Sequence, residues 1–192
     1  MSEATIDPTR TNTGLDNRKL GMWIFLATEV MLFASLIGGF LSMKARSPAG
    51  AHNVLNIPLT AVNTFILIIS STTVVLALSA IEEGDKKKLR NFLLATLLLG
   101  ATFLSIQMFE YSHLIGEGFT PAGSLFGGGF FTVTGFHGFH VLIGLGICLW
   151  LLVQAVQGKV TATDHMRVEI FGLYWHFVDV VWIILFTIIY LL

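Results

Sequence analysis

Residues 125–157 read LFGGGFFTVTGFHGFHVLIGLGICLWLLVQAVQ, a run without a single Lys, Arg, Asp or Glu. One helical crossing of a bilayer's hydrocarbon takes about 20 mostly apolar residues. This stretch is therefore long enough to span a membrane by itself, and it sets the solvent in which the rest of the chain is read. Four further apolar runs of spanning length accompany it, at about Leu20 to Met43, Pro58 to Ile81, Leu89 to Tyr111 and Ile170 to Leu192. In hydrocarbon every backbone N–H and C=O has to be paired within the protein, and the alternation of barrel strands is absent, so all five runs are expected to be helices. The predicted fold class is all-α, an integral membrane bundle of five transmembrane helices occupying residues 20–192. The Gly127-Gly128-Gly129 triplet is expected at the outer mouth of the fourth helix.

Composition agrees with the bilayer as main solvent. The chain has 192 residues, 54% hydrophobic and 12% charged, with a mean hydropathy of +0.78, far from the balance of a soluble domain. Little chain remains for one. A net charge of −1 supplies no basic surface for nucleic acid, and the single cysteine, Cys148, lies in an apolar run where it has no partner for an internal disulfide. Residues 1–19, MSEATIDPTRTNTGLDNRK, lack the apolar core of a secretory signal and read as a polar tail.

Basic residues set the expected orientation. Arg10, Arg18 and Lys19 precede the first span, Lys86, Lys87, Lys88 and Arg90 follow the second, and Lys159 and Arg167 follow the fourth. The alternate side carries only Lys44 and Arg46. The N-terminus and the basic loops are expected in the cytoplasm, with the C-terminus outside. No internal repeat of the transporter kind is visible.

An ionisable side chain near the bilayer centre costs at least ~2.5 kcal/mol on insertion scales, so each requires a reason. Glu29 lies nine residues into the first span, among Phe25, Leu26, Leu32 and Phe33. It is readable as a carboxyl bonded to a neighbouring helix or as a lipid-contacting or proton-linked group. His137 and His140 are three apart and share a helix face, with Gly138 and Gly144 thinning the helix for close packing. Trp175, His176, Asp179 and Trp182 recur at helical spacing in the fifth span, Asn63, Ser70 and Ser71 form a polar stripe on the second, and Glu110 is expected to pair with Gln107, one turn earlier, near the outer end of the third.

Such groups also raise the question of a metal. His137 or His140 facing His176 would suit a bis-imidazole haem, whereas a di-iron centre repeats Glu-x-x-His on two helices. The sequence offers one instance, Glu110 to His113, at a span end. Cys148 is eleven residues from His137, so a Cys/His zinc site has little support. A structural hydrogen-bond network, the commoner use of polar groups between membrane helices, leads the reading.

Several blocks resemble one family, subunit III of the haem-copper terminal oxidases in its five-helix bacterial form. They are GMWIFLATEVMLFASL (21–36), NTFILIISSTT (63–73), QMFEY (107–111), FFTVTGFHGFHVLIG (130–144), HMRVE (165–169) and YWHFVDVVWIILF (174–186). They touch all five spans and include the buried polar positions that chance likeness between apolar helices would not reproduce.

The resemblance implies a non-catalytic accessory subunit of a proton-pumping terminal oxidase in aerobic respiration, packed against subunit I. Expected partners are subunits I and II, a small subunit IV and membrane lipid. The chain itself would bind no cofactor but phospholipid, the haems and copper residing in partner subunits. Its spans hold too few histidines for two haems and a copper, and no cysteine pair for a dinuclear copper centre. By resemblance Glu29 is a buried carboxyl beside lipid, while Glu110, His137, His140, Glu169, His176 and Asp179 form a structural polar network. Family roles are lipid retention near an oxygen route, support of proton uptake and slowing of turnover-linked inactivation. The expected location is a bacterial cytoplasmic membrane. The longer family form has two additional N-terminal spans, so its lipid-filled cleft is not expected here in the same form. Alternatives are an accessory subunit of a nitric oxide reductase and, from other classes, a haem-carrying membrane anchor or a proton-coupled transporter centred on Glu29.

Overall fold

The computed structural model describes residues 16–48, 55–160 and 165–192. Five helices cross the molecule: α1 (Asn17–Ala45), α2 (Ile57–Glu82), α3 (Lys86–Gly116), α4 (Leu125–Val156) and α5 (His165–Phe186), the last continued by a π turn over Thr187–Leu191. All five are long and apolar enough to cross a membrane.

Short polar signals define the ends. Asp16, Asn56, Asp85 and Ser124 cap the first four helices, each side-chain oxygen accepting a backbone N–H of the first turn. After α2, α3 and α4 the chain turns through Gly84, Gly118 and Gly158, all at positive φ. In each case the glycine N–H and the next one reach back to carbonyls of the last turn, as when Asp85 donates to Ala80 at 2.9 Å. This is the Schellman arrangement, which a residue with a Cβ adopts only with strain.

The helices extend past the predicted spans. Asn17, Arg18 and Lys19 are helical because the cap lies at Asp16, so the predicted polar tail is shortened; residues 1–15 of that tail lie outside the described residues. The third helix runs five residues beyond Tyr111, since no residue stops it before Gly118. The fifth begins at His165, not Ile170. Hydropathy locates the lipid-compatible part of a helix, while capping locates its ends.

Packing is uneven. The α2–α3 hairpin is the most extensive contact, α5 lies against α2 and α4, and α1 covers α4 and α5. Ten residues of α5 are buried but only Leu26, Phe33 and Phe40 of α1. At the centre, Trp175 fills the space between α3 and α4. A Cβ on Gly144 would fall 2.6 Å from its ring, and one on Gly100 2.9 Å from it. Both positions require the missing side chain, bearing out for Gly144 the close packing read from sequence. A Cβ on Gly129 would fall 3.0 Å from Phe40, so the triplet in the first turns of α4 admits the end of α1.

Candidate functional site

We call the end where α1, α3 and α5 begin the near end, and the opposite one the far end. Between them the polar side chains sort into three levels. At the near end Lys19 of α1 pairs with Glu169 of α5. Glu169, expected in the intramembrane network, lies in the first turns of α5, two turns before His176, because the helix starts earlier than hydropathy indicates.

At the far end Glu110 joins three elements. Its Oε1 accepts from the Thr60 hydroxyl and the Tyr190 hydroxyl, each at 3.1 Å, and Lys44 donates to the Ile188 carbonyl at 3.0 Å in the π turn. Gln107 does not partner Glu110. Its amide donates to the Thr134 carbonyl on α4 at 3.2 Å, and its oxygen packs near Gly138. Glu110, His113 and Glu117 line an open cavity of about 550 Å³ between α2 and α3. The single Glu-x-x-His thus lies at a mouth of the bundle, with His113 and Glu117 3.6 Å apart.

The middle level carries the histidines. Although His137 and His140 share a helix, they serve different neighbours. His140 Nε2 lies 3.0 Å from Glu29 Oε2, joining α4 to α1. Its Nδ1 lies 2.7 Å from the Phe136 carbonyl, which can only accept, so Nδ1 carries a hydrogen. Contacts on both ring nitrogens fix the orientation of the imidazole between its own helix and α1. Phe33 meets the imidazole edge-on with centroids 5.0 Å apart, and Tyr174 donates to the His140 carbonyl at 2.9 Å. The side chains are 10% and 14% exposed, so the Glu29 carboxyl keeps a narrow outward edge.

His137 is fully buried. Its Nε2 donates to the Val178 carbonyl on α5 at 3.2 Å and its ring lies over Trp182 at 4.7 Å. The two buried tryptophans each donate an indole N–H to α2, Trp175 to Ser70 and Trp182 to Thr64, both at 2.9 Å. Asn63 donates to the Phe103 carbonyl at 3.1 Å. His176 Nδ1 is hydrogen-bonded to the Ser71 hydroxyl. Ser71 also faces Asp179, yet neither carboxyl oxygen of Asp179 completes a hydrogen bond.

The arrangement is that of helix-to-helix fastening. The three mid-bundle histidines point to three different partners, and among the described residues no three His, Cys, Asp or Glu gather as a metal-binding group. The polar stripe read on the second span includes Ser70, the acceptor of Trp175, whereas the Trp182 anchor on Thr64 and the π turn that brings Tyr190 to Glu110 escape sequence reasoning, because a single hydroxyl in an apolar helix carries no pattern. Outside the spans, the Asp85 carboxyl is held below the usual carboxylate range by the backbone N–H of Lys88, then that of Lys87, with Lys88's charge adding to the effect.

Fold and site together define a multi-pass membrane subunit whose polar interior ties helices to one another. The family model described as cytochrome c oxidase subunit III matches residues 1–192, and the chain belongs to that family. It is 39% identical to the cytochrome bo(3) ubiquinol oxidase subunit 3 of Pseudomonas putida, over 90% of this chain and 84% of that one. It is 38% identical to the quinol oxidase subunit 3 of Bacillus subtilis, over 90% and 86%, and 40% identical to the cytochrome c oxidase subunit 3 of Corynebacterium diphtheriae, over 89% and 86%. The chain is an accessory subunit of a haem-copper terminal oxidase, as the resemblance implied.

Proposed function

We propose that this chain is a scaffold subunit that carries no redox centre and holds the haem- and copper-bearing subunit I in its working form. Subunits I and II and a small subunit IV are its partners in a bacterial cytoplasmic membrane, with the N-terminus inside. The observation that carries the reading is the commitment of the middle polar level to ties between helices: His140 to Glu29, His137 to α5 backbone, and both tryptophans to α2. The narrow outward edge of Glu29 supports contact with phospholipid there. Lipid held at that face, near an oxygen route and close to where subunit I takes up protons, is the proposed means of protecting turnover.

Purification of the tagged chain from native membranes in mild detergent tests this. Recovery with a haem- and copper-containing subunit is expected, as is a colourless chain once it is stripped from the complex with the partner's haem intact. Haem that stays with the isolated chain would replace the scaffold reading with a haem anchor. Phospholipid that remains with the purified complex and is lost in Glu29→Ala is expected; unchanged lipid content would remove the lipid role.

A further inference from the structure

The seam between α2 and α5 holds polar groups that the scaffold reading leaves without a task. On α5, Glu169, Gly172, His176 and Asp179 recur at three- and four-residue intervals and so share one face. From the near end a groove of about 200 Å³ runs along this face, lined by Val168, Glu169, Gly172, Leu173 and His176 on one side and Val74, Val75 and Leu78 on the other. The groove has room for water, for which the Glu169 carboxyl and the His176 ring are the polar partners. His176 sits at the inner end and is hydrogen-bonded through Nδ1 to Ser71. One helical turn beyond His176 is Asp179, 5% exposed, with both oxygens buried and unbonded. A buried carboxyl lacking partners needs a proton or a donor from elsewhere, and Ser71 is the polar group it faces.

We propose that the α2–α5 seam is a proton inlet, in which water entering the groove between Glu169 and His176 exchanges protons with Asp179 through the His176 ring and the Ser71 hydroxyl. A hydronium in the groove places its proton on His176 Nε2. The Nδ1 hydrogen passes to Ser71 Oγ, and the Ser71 hydroxyl hydrogen passes to a carboxylate oxygen of Asp179. His176 and Ser71 end neutral, and the reverse passage restores the first tautomer. The ionisable groups around Asp179 are His176 on its own helix and His137 on α4, whose Nε2 bonds the adjacent Val178 carbonyl; α2 contributes the Ser71 hydroxyl. None of these steps uses Glu29, so the inlet stands apart from the lipid role.

The intact oxidase in lipid nanodiscs provides the test. Infrared spectra of wild type minus Asp179→Asn isolate the Asp179 carboxyl band, and transfer into D2O times its isotope shift. A protonated-carboxyl band that shifts on transfer is expected. Val75→Trp fills the groove from a side chain that is half exposed; it slows the shift about tenfold, the factor given by ~1.4 kcal/mol of added barrier. Ser71→Ala breaks the relay while leaving the groove open and slows it similarly, so either variant carries the test if the other fails to assemble. Subunit recovery and haem content confirm assembly. An unslowed shift in an assembled variant, a wild-type band that never shifts, or the absence of a protonated band each overturns the inlet.

Discussion

Glu29 on α1 and Asp179 on α5 are both carboxyls in the middle of a span, and their surroundings differ in kind. The outer helix α1 buries three residues, and its carboxyl finds an imidazole on the neighbouring α4. The central helix α5 buries ten, and neither oxygen of its carboxyl completes a hydrogen bond, the Ser71 hydroxyl being the polar group it faces. Lipid tails are as apolar as leucine, so a peripheral membrane helix gains little from hydrophobic contact and is held by shape and by directional polar links. A central helix is held chiefly by packing, which in α5 comes from Trp175 and Trp182 seated against small residues and hydroxyls, while Val180, Ile183 and Ile184 stay exposed. On such a helix the tryptophan indoles and His176 tie to α2, and Asp179 is the polar group left without a fastening bond.

Removing the central packing should have the largest effect. Trp175→Ala empties the space between Gly100, Gly144 and Ser70 and is expected to destabilise the bundle by about 3–5 kcal/mol, as large-to-small core changes do. Denaturant titration of the purified subunit in detergent measures it; a loss under about 1 kcal/mol would show that α5 is not held by packing. Gly144→Ala is expected to cost about 1–3 kcal/mol by overpacking against the same ring, read from thermal loss of subunit recovery.

The link on α1 should matter less to the bundle as a whole. Glu29→Ala and His140→Ala, combined in a double-mutant cycle, are expected to show a coupling of about 0.6–2 kcal/mol. Zero coupling would mean that the mid-span link does not hold α1, leaving shape and the end contacts of Lys19 and Lys44, and would remove the contrast with α5. Thr64→Val, which deprives the Trp182 indole of its acceptor, is expected to cost about 1 kcal/mol.

The smallest effect lies outside the bilayer. Asp85 caps α3, and its lowered pKa means that the folded state favours the ionised form. Its stabilising contribution is therefore complete above the ordinary carboxylate range and is lost as pH falls through the lowered value. Asp85→Asn, which keeps a capping oxygen but no charge, should flatten that acid dependence while leaving neutral-pH stability little changed. Wild-type and variant acid titrations that superimpose would mean the carboxylate charge adds nothing to the cap.

The chain's sequence by itself determined five membrane-crossing helices, because spanning requires only a sufficient apolar run, a property of consecutive residues. It also named the histidines and carboxyls within the spans, since each such residue in an apolar run is an exception that announces itself. The tertiary structure decided who pairs with whom. Spacing places His137 and His140 on one face of α4, but only the lateral order of the helices gives His140 the Glu29 carboxyl and His137 the backbone of α5. Spacing likewise suggested Gln107 beside Glu110, whereas the helix neighbours draw one to Thr134 and the other to Thr60 and Tyr190. A helix's sequence encodes the direction of each side chain about its own axis; which helix stands in that direction is fixed by how all five pack together.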